Sequence, residues 1–226
     1  MFWDEKMEKM PRNELKELQS KRLRAIVRRI YDNVPFYRKR LRDAGIHPED
    51  IRDVEDITKL PFTTKQDLRD NYPFGLFCVP LREVVRVHAS SGTTGKPTLV
   101  GYTRDDIENW ASLMARNFTM VGVNEDDVFQ NSVNYGLFTG GLGVHYGIEK
   151  IGATAVPAGT GTTLQQLTLM ADLGVTVIHC TPSYALYLAE VACEMGIIDS
   201  LKLRIGCFGA EPWASSTRRE LEDTLG

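Results

Sequence analysis

The sequence predicts an α/β fold: a parallel-rich sheet flanked by helices and preceded by an N-terminal helical segment. Three observations carry this. Beyond residue 120, short continuous apolar runs alternate with helical patterns of about a dozen residues, the signature of βαβ units in a sheet covered on both faces. Helix-start signatures stand between the runs: Thr103 with Asp106, Thr163 with Gln166, and Thr181 followed by Pro182. Before residue 75 the apolar residues recur instead at helical spacing.

Taken in order, Leu15, Leu18, Leu23, Ile26, Val27, Ile30, Tyr31 and Val34 form one stripe from Arg12 to Val34, with Lys and Arg opposite. That is an amphipathic helix. Pro35 opens a second helix and Gly45 ends it. Asp56 to Pro61 reads as a loop, and Thr63-Thr64-Lys65-Gln66-Asp67 offers a capping box for a third helix. Residues 1–75 are thus expected to be a helical segment packed on the core, and 76–226 an α/β portion. Strands are expected at Val84–Ala89 and Thr98–Tyr102, then at Asp127–Val133, Ala153–Pro157, Val175–Cys180 and Leu203–Phe208. Helices fall at 103–121, 138–151, 163–173, 181–195 and from Ser215 onward. Ligands of parallel sheets bind outside the carboxyl ends of strands. Three unusual segments each follow a strand: 90–97, 134–141 and 209–213. Their coincidence favours one shared cleft.

The first of these is Ser90-Ser91-Gly92-Thr93-Thr94-Gly95-Lys96-Pro97. Glycines let successive N–H groups point into one concavity, four hydroxyls add donors, and Lys96 adds a mobile cation, so the run suits phosphate. It is not a Walker loop, because only Thr93 and Thr94 separate Gly92 from Gly95 and Pro97 follows Lys96. Spacing alone leaves a plain hairpin connection equally open.

The octet with Thr98-Leu99-Val100-Gly101-Tyr102-Thr103 resembles the phosphate-binding signature of the adenylate-forming enzymes, most closely the phenylacetate–coenzyme A ligase family. Asn134-Tyr135-Gly136-Leu137-Phe138-Thr139-Gly140-Gly141-Leu142-Gly143 resembles that family's acyl-pocket segment, and Gly209-Ala210-Glu211-Pro212-Trp213 its adenine-side turn. The three stand in the family's order, and the similarity runs from about Trp3 to the last residue. The resemblance implies the incomplete N-terminal domain of an adenylate-forming enzyme. The later segments expected of the family, with a magnesium-placing glutamate, a ribose-binding aspartate and a C-terminal domain carrying an adenylation lysine, do not occur in these residues. No catalytic residue is therefore assigned.

What the resemblance implies chemically is an aryl-acid–coenzyme A ligase, with phenylacetate the leading acid. A carboxylate attacks the α-phosphate of ATP, pyrophosphate leaves, and a thiol then attacks the acyl-adenylate. Ser90, Ser91, Gly92, Thr93, Thr94, Gly95 and Lys96 would hold phosphates, and Gly209, Ala210, Glu211 and Pro212 would border adenine. Tyr135, Phe138, Gly140 and Gly141 would line the acid. ATP, Mg²⁺ and coenzyme A are the implied co-substrates. Without the resemblance, Tyr135 and Phe138 also read as core and the glycines as close-packing positions. His145 reads as a hydrogen-bonded core histidine, and Glu190 with Glu194 as a surface face. A non-catalytic nucleotide- or acyl-binding remnant, and an acyl-adenylating relative with another acceptor, remain open. An uncovered sheet edge would invite a homodimer or pairing with a separate C-terminal polypeptide.

Composition narrows the classes. The chain has 226 residues, 42% hydrophobic and 25% charged, as in globular proteins. A net charge of −3 gives no general attraction to nucleic acid or an anionic membrane. Residues 1–50 carry 13 Lys or Arg against 9 Asp or Glu, a net +4, and the remainder nets −7. The basic stretch reads as a solvated helix face. No apolar run is long enough to span a bilayer, and Asp4, Glu5 and Glu8 do not suit a signal peptide, so a cytoplasmic location is expected. Cys78, Cys180, Cys193 and Cys207 lack a Cys-x-x-Cys pair and read as reduced thiols. A zinc site joining some of them to His88 or His179 stays open at this point.

Overall fold

The computed structural model describes residues 1–90 and 97–225. The chain divides into two compact units, Asp4–Ile107 and Glu108 onward with Met1–Trp3. Residue 75, where the helical patterning gives way, lies within the first of these units.

In that unit α1 (Glu5–Glu8), α2 (Arg12–Asn33), α3 (Pro35–Asp43) and α4 (Lys65–Asp70) precede a hairpin of β1 (Val84–Ala89) and β2 (Leu99–Thr103). Val34 is extended between α2 and α3, and Pro35 then starts α3 with its φ already set. Gly45, at φ 68°, closes α3 while the Ile46 N–H donates to the Leu41 carbonyl. Thr64 and Asp67 cap α4 reciprocally. Val27, Leu41 and Ile51 form the small core, joined by Leu23, Tyr31, Ile46 and Leu60. The loop expected from Asp56 to Pro61 is in fact preceded and partly replaced by a 3-10 helix, Val54–Lys59. Asp53 caps it through the Glu55 N–H, and the Asp56 carboxylate accepts from the Arg52 N–H at 2.8 Å, so local side chains supply turn bonds that apolar spacing does not signal. β1 and β2 pair antiparallel with an irregularity between Val84 and Arg86.

The second unit holds the parallel sheet. β3 (Val128–Asn131), β4 (Thr154–Val156), β5 (Val177–Cys180) and β6 (Ile205–Phe208) lie in the order β4-β3-β5-β6. Each of the three suspect segments follows a strand, as expected, but the strand before the phosphate-type loop belongs to the hairpin and not to this sheet. A two-stranded antiparallel hairpin needs only a short loop, whereas parallel strands need a crossover.

The crossovers are α6 (Gly140–Ile151), α7 (Thr163–Leu173) and α8 (Pro182–Glu194), with α9 (Ser215–Leu225) after β6 and α5 (Arg104–Met120) before β3. Thr103 and Asp106 cap α5 as expected, and Thr181 caps α8 by accepting from the Tyr184 N–H. The cap of α7 is Thr162 rather than Thr163: Thr162 has extended backbone and accepts from the Gln165 N–H. Each sheet face has its own core. Phe118, Phe129, Val144, Ile148 and Val177 fill the side of α5 and α6. Leu167, Met170, Ile178, Leu188 and Leu221 fill the side of α7, α8 and α9. Consecutive Val177 and Ile178 thus serve opposite layers, as strand geometry demands.

The order of connections matters for function. From β3 the chain moves outward to β4, then returns past β3 to β5 and on to β6. The strand order therefore reverses between β3 and β5, where the helices leave to opposite faces and open a crevice.

Candidate functional site

Asn131 and His179 are register partners at the carboxyl ends of β3 and β5, at that reversal point. The His179 Nδ1 lies 2.9 Å from Asn131 Oδ1. Asn131 cannot turn its amide around without loss, because its Nδ2 donates to the buried Gly141 carbonyl at 2.9 Å and to the Tyr135 hydroxyl at 2.7 Å. A carbonyl only accepts, so Oδ1 faces His179 and Nδ1 carries the imidazole proton. Burial lowers the His179 pKa from its ordinary value to about 4, so the ring is neutral at pH 7.

His179 forms part of the wall of a cavity of about 310 Å³, a volume in the range of small-molecule sites. Trp110 and Met114 of α5, Phe138, Thr139, Gly140, Gly143 and Val144 around the start of α6, Val133, Cys180, Thr181, Gly209 and Ala210 complete it. No Lys, Arg, Asp or Glu is among these residues. Such walls suit the hydrocarbon body of a ligand rather than its charge. Cys180 offers no thiolate, since burial first, then Cys207 and Glu211, push it up to about 12.

Of the residues singled out in the sequence, Phe138, Gly140, Gly209 and Ala210 meet around this one cavity. Phe138 is 59% exposed, at the rim. Ala210 has φ 72°, a left-handed conformation rare outside glycine, at the strand-to-helix turn after β6. Tyr135 and Gly141 stand behind the wall instead. The Tyr135 hydroxyl, its pKa raised by burial, supports Asn131 and lies 3.4 Å from His145 Nδ1. A Cβ on Gly141 would lie 2.4 Å from the Asn134 carbonyl oxygen, so the turn into α6 requires glycine there. Glu211 is exposed and accepts from the Ser183 N–H at 2.7 Å at the start of α8. Hydrogen bonds from Ser183, side chain and then backbone, hold its carboxyl below the ordinary value. Pro212 is exposed, and Trp213 sets its ring edge-on to Phe208 at 5.7 Å. His145 also reaches Glu149, while Glu190 and Glu194 lie on the surface.

In the first unit, Ser90 closes the base of its loop: its N–H donates to the Thr98 carbonyl at 3.0 Å, and its Oγ accepts from the Thr98 N–H at 3.0 Å. Ser91, Gly92, Thr93, Thr94, Gly95 and Lys96 lie outside the described residues. Among the described residues, no group of three or more His, Cys, Asp and Glu side chains could hold a metal ion. None of their helices is long and apolar enough to cross a membrane.

Sequence reasoning missed Trp110, Met114, Asn131 and His179 as members of the site. Each lies on an element whose own pattern explains it, and only the long-range pairing of β3 with β5 and the packing of α5 on α6 bring them together.

Fold and site define an α/β protein with an apolar, ligand-sized cavity at the switch point of a parallel sheet. The chain belongs to the AMP-binding enzyme family, whose model matches residues 19–226. It is 50% identical over 216 residues to the phenylacetate–coenzyme A ligase of Escherichia coli K12, covering 95% of this chain and 49% of that one. It is 47% identical over 227 residues to the phenylacetate–coenzyme A ligase of Thermus thermophilus, covering 100% of this chain and 51% of the relative. It thus spans about half the length of the curated relatives it matches. The crystal structure of 2-hydroxyisobutyryl-CoA ligase in complex with 2-HIB-AMP and CoA superimposes with a TM-score of 0.88 at 31% identity, covering 96% of this chain and 48% of that one.

Proposed function

We propose that the chain supplies the acyl- and phosphate-binding part of an acid–thiol ligase, which activates an aryl acid with ATP and passes the acyl group to coenzyme A. Phenylacetate is the leading acid. The observation that carries this reading is the cavity free of charged side chains at the β3/β5 reversal, lined by the very segments that resemble the acyl pocket and adenine-side turn of such ligases.

In this reading the ring enters the apolar cavity and the carboxylate stays outside it, toward the nucleotide. Desolvating a carboxylate among these walls would cost several kcal/mol, of order the burial of an unpaired polar group or more. The acid is thereby oriented by exclusion. Ser90, Ser91, Gly92, Thr93, Thr94, Gly95 and Lys96 would hold the β- and γ-phosphates, and Gly209, Ala210, Glu211 and Pro212 would border adenine. Attack of the carboxylate on the α-phosphorus expels pyrophosphate, and the coenzyme A thiol then displaces AMP from the acyl carbon. Neither step needs a nucleophile from the protein, so positioning and charge neutralisation are its contribution. Mg²⁺ commonly travels with nucleotide phosphates and water. The described residues offer it no cage of their own.

Calorimetric titration of the chain with ATP–Mg²⁺ and with phenylacetate, each repeated in the presence of the other, tests the reading. Binding of both, each strengthening the other, is expected. A folded chain that gives no heat with either would overturn it.

A further inference from the structure

The reversal point carries a feature that the activation reaction does not use. The His179 imidazole is fixed by Asn131: Nδ1 donates to Oδ1 at 2.9 Å, and Asn131 is held in that sense by the Gly141 carbonyl and the Tyr135 hydroxyl. The ring packs against Phe118 and Phe129, with centroids 6.3 and 6.5 Å away. One polar atom is left over. Nε2 carries a lone pair, has no hydrogen-bond partner among the described residues, and belongs to a side chain in the cavity wall.

We propose that His179 is a specificity-determining residue, whose Nε2 accepts a hydrogen bond from a hydroxyl on the ring of a substituted acid, so that among ring-substituted aryl acids the hydroxylated are preferred to the methylated of the same size. This rests on the aryl-acid reading above and names its substrate class more narrowly. An ionised carboxylate has no proton to give and is repelled by a lone pair, so the acid cannot enter carboxylate first. A ring hydroxyl can donate. A methyl in its place leaves Nε2 stripped of water and unpaired, which is how a hydrogen-bonding site rejects an analogue lacking the group. Gln in place of Asn131 would not reproduce the arrangement, because the amide is set by two acceptors at fixed distances.

The test compares 3- and 4-hydroxyphenylacetate with the methylphenylacetates of the same substitution, which match them in size and lack the donor, and with phenylacetate. In the unaltered chain the better hydroxylated isomer should bind at least about tenfold more tightly than its methyl counterpart. In His179→Phe the ratio should fall to about one. A ratio unchanged by the substitution overturns the proposal. Should the variant not fold, nitrogen NMR of His179 in the unaltered chain decides: the proton should be found on Nδ1, and the Nε2 resonance should move with the hydroxylated acid and not with the methylated one. A proton on Nε2 in the free chain also overturns it. Phenylacetate bound without any preference for a hydroxyl sinks this proposal alone. No binding of any of the five acids by the folded chain sinks the aryl-acid reading, and this proposal with it.

Discussion

A Cβ placed on Gly143 would lie 2.2 Å from Cζ2 of Trp110. The indole of α5 therefore lies directly against the backbone of α6. One turn later the same approach recurs, where a Cβ on Gly147 would lie 2.4 Å from the Cβ of Met114. Glycines four residues apart form a groove along α6 into which α5 settles, and Trp110 and Met114 thereby become cavity wall.

Gly143→Ala tests this packing. The indole is rigid, so the added methyl must push it toward the cavity or separate the helices. Denaturant unfolding should show a loss of about 1–3 kcal/mol, the usual cost of overpacking. The aryl acid should bind more weakly as well. Gly143→Ala with Trp110→Leu should regain stability, because the smaller side chain leaves room for the methyl. A single variant as stable as the parent chain would show that α5 and α6 are not so tightly set.

Phe138→Ala and the pair Thr93→Ala with Thr94→Ala should separate the two halves of the proposed site. Removing the rim ring takes apolar surface from the acid, about 1–3 kcal/mol of contact. Calorimetry should therefore record a loss of about tenfold in phenylacetate affinity with ATP binding little changed. The threonine pair should do the reverse. Equal loss of both ligands in each variant would remove the assignment of these segments to separate ligands.

Much of the fold was legible because local chemistry and tertiary structure agree. The Thr64–Asp67 and Thr103–Asp106 pairs cap helices in the places their spacing announces, and Thr181-Pro182 starts α8. Thr162 and Thr163 are adjacent, both compatible with capping, and only the backbone tells which is extended. Likewise Val84–Ala89 reads as a strand from its residues, but nothing in them says whether its partner is parallel. The candidate site was legible only where unusual residues cluster, at Phe138 to Gly141 and Gly209 to Ala210. Asn131 and His179 close ordinary strands, 48 residues apart, and their meaning comes from the register of β3 on β5.

His179 should give the chain an acid-sensitive stability. Burial lowers its pKa to about 4 in the folded chain, against about 6.5 when unfolded. Between these values the unfolded state binds the extra proton, so stability is full above about pH 6.5 and falls as pH drops toward 4. The ceiling is about 3 kcal/mol, less where water reaches the ring. Unfolding measured from pH 7 to pH 4 should show this slope, and His179→Phe should flatten it. An identical slope in the variant would place the acid sensitivity elsewhere.

The opposite end of the sheet is held by a different device. Asp127, 3% exposed, accepts from Arg204 Nε at 2.8 Å, from the Thr176 hydroxyl at 2.7 Å and from the Asn124 N–H at 2.9 Å. A further Arg204 nitrogen bonds its other oxygen and also reaches the Gly122 carbonyl. Burial alone would raise the Asp127 carboxyl. The Arg204, Thr176 and Asn124 hydrogen bonds outweigh it and hold the group below its ordinary value. Arg204→Met should therefore leave a buried carboxylate with its cation gone. Breaking such a pair costs about 3–5 kcal/mol when both groups are buried, and about 2–3 kcal/mol is expected here because the guanidinium is partly exposed. Adding Asp127→Asn should recover part of that loss, since an amide needs no counter-charge and can still accept from Thr176. If the double variant is instead less stable than Arg204→Met by itself, the carboxylate is held by Thr176 and the Asn124 N–H without need of the arginine. The joint of β3, β5 and β6 is then a hydrogen-bonded turn rather than an ion pair.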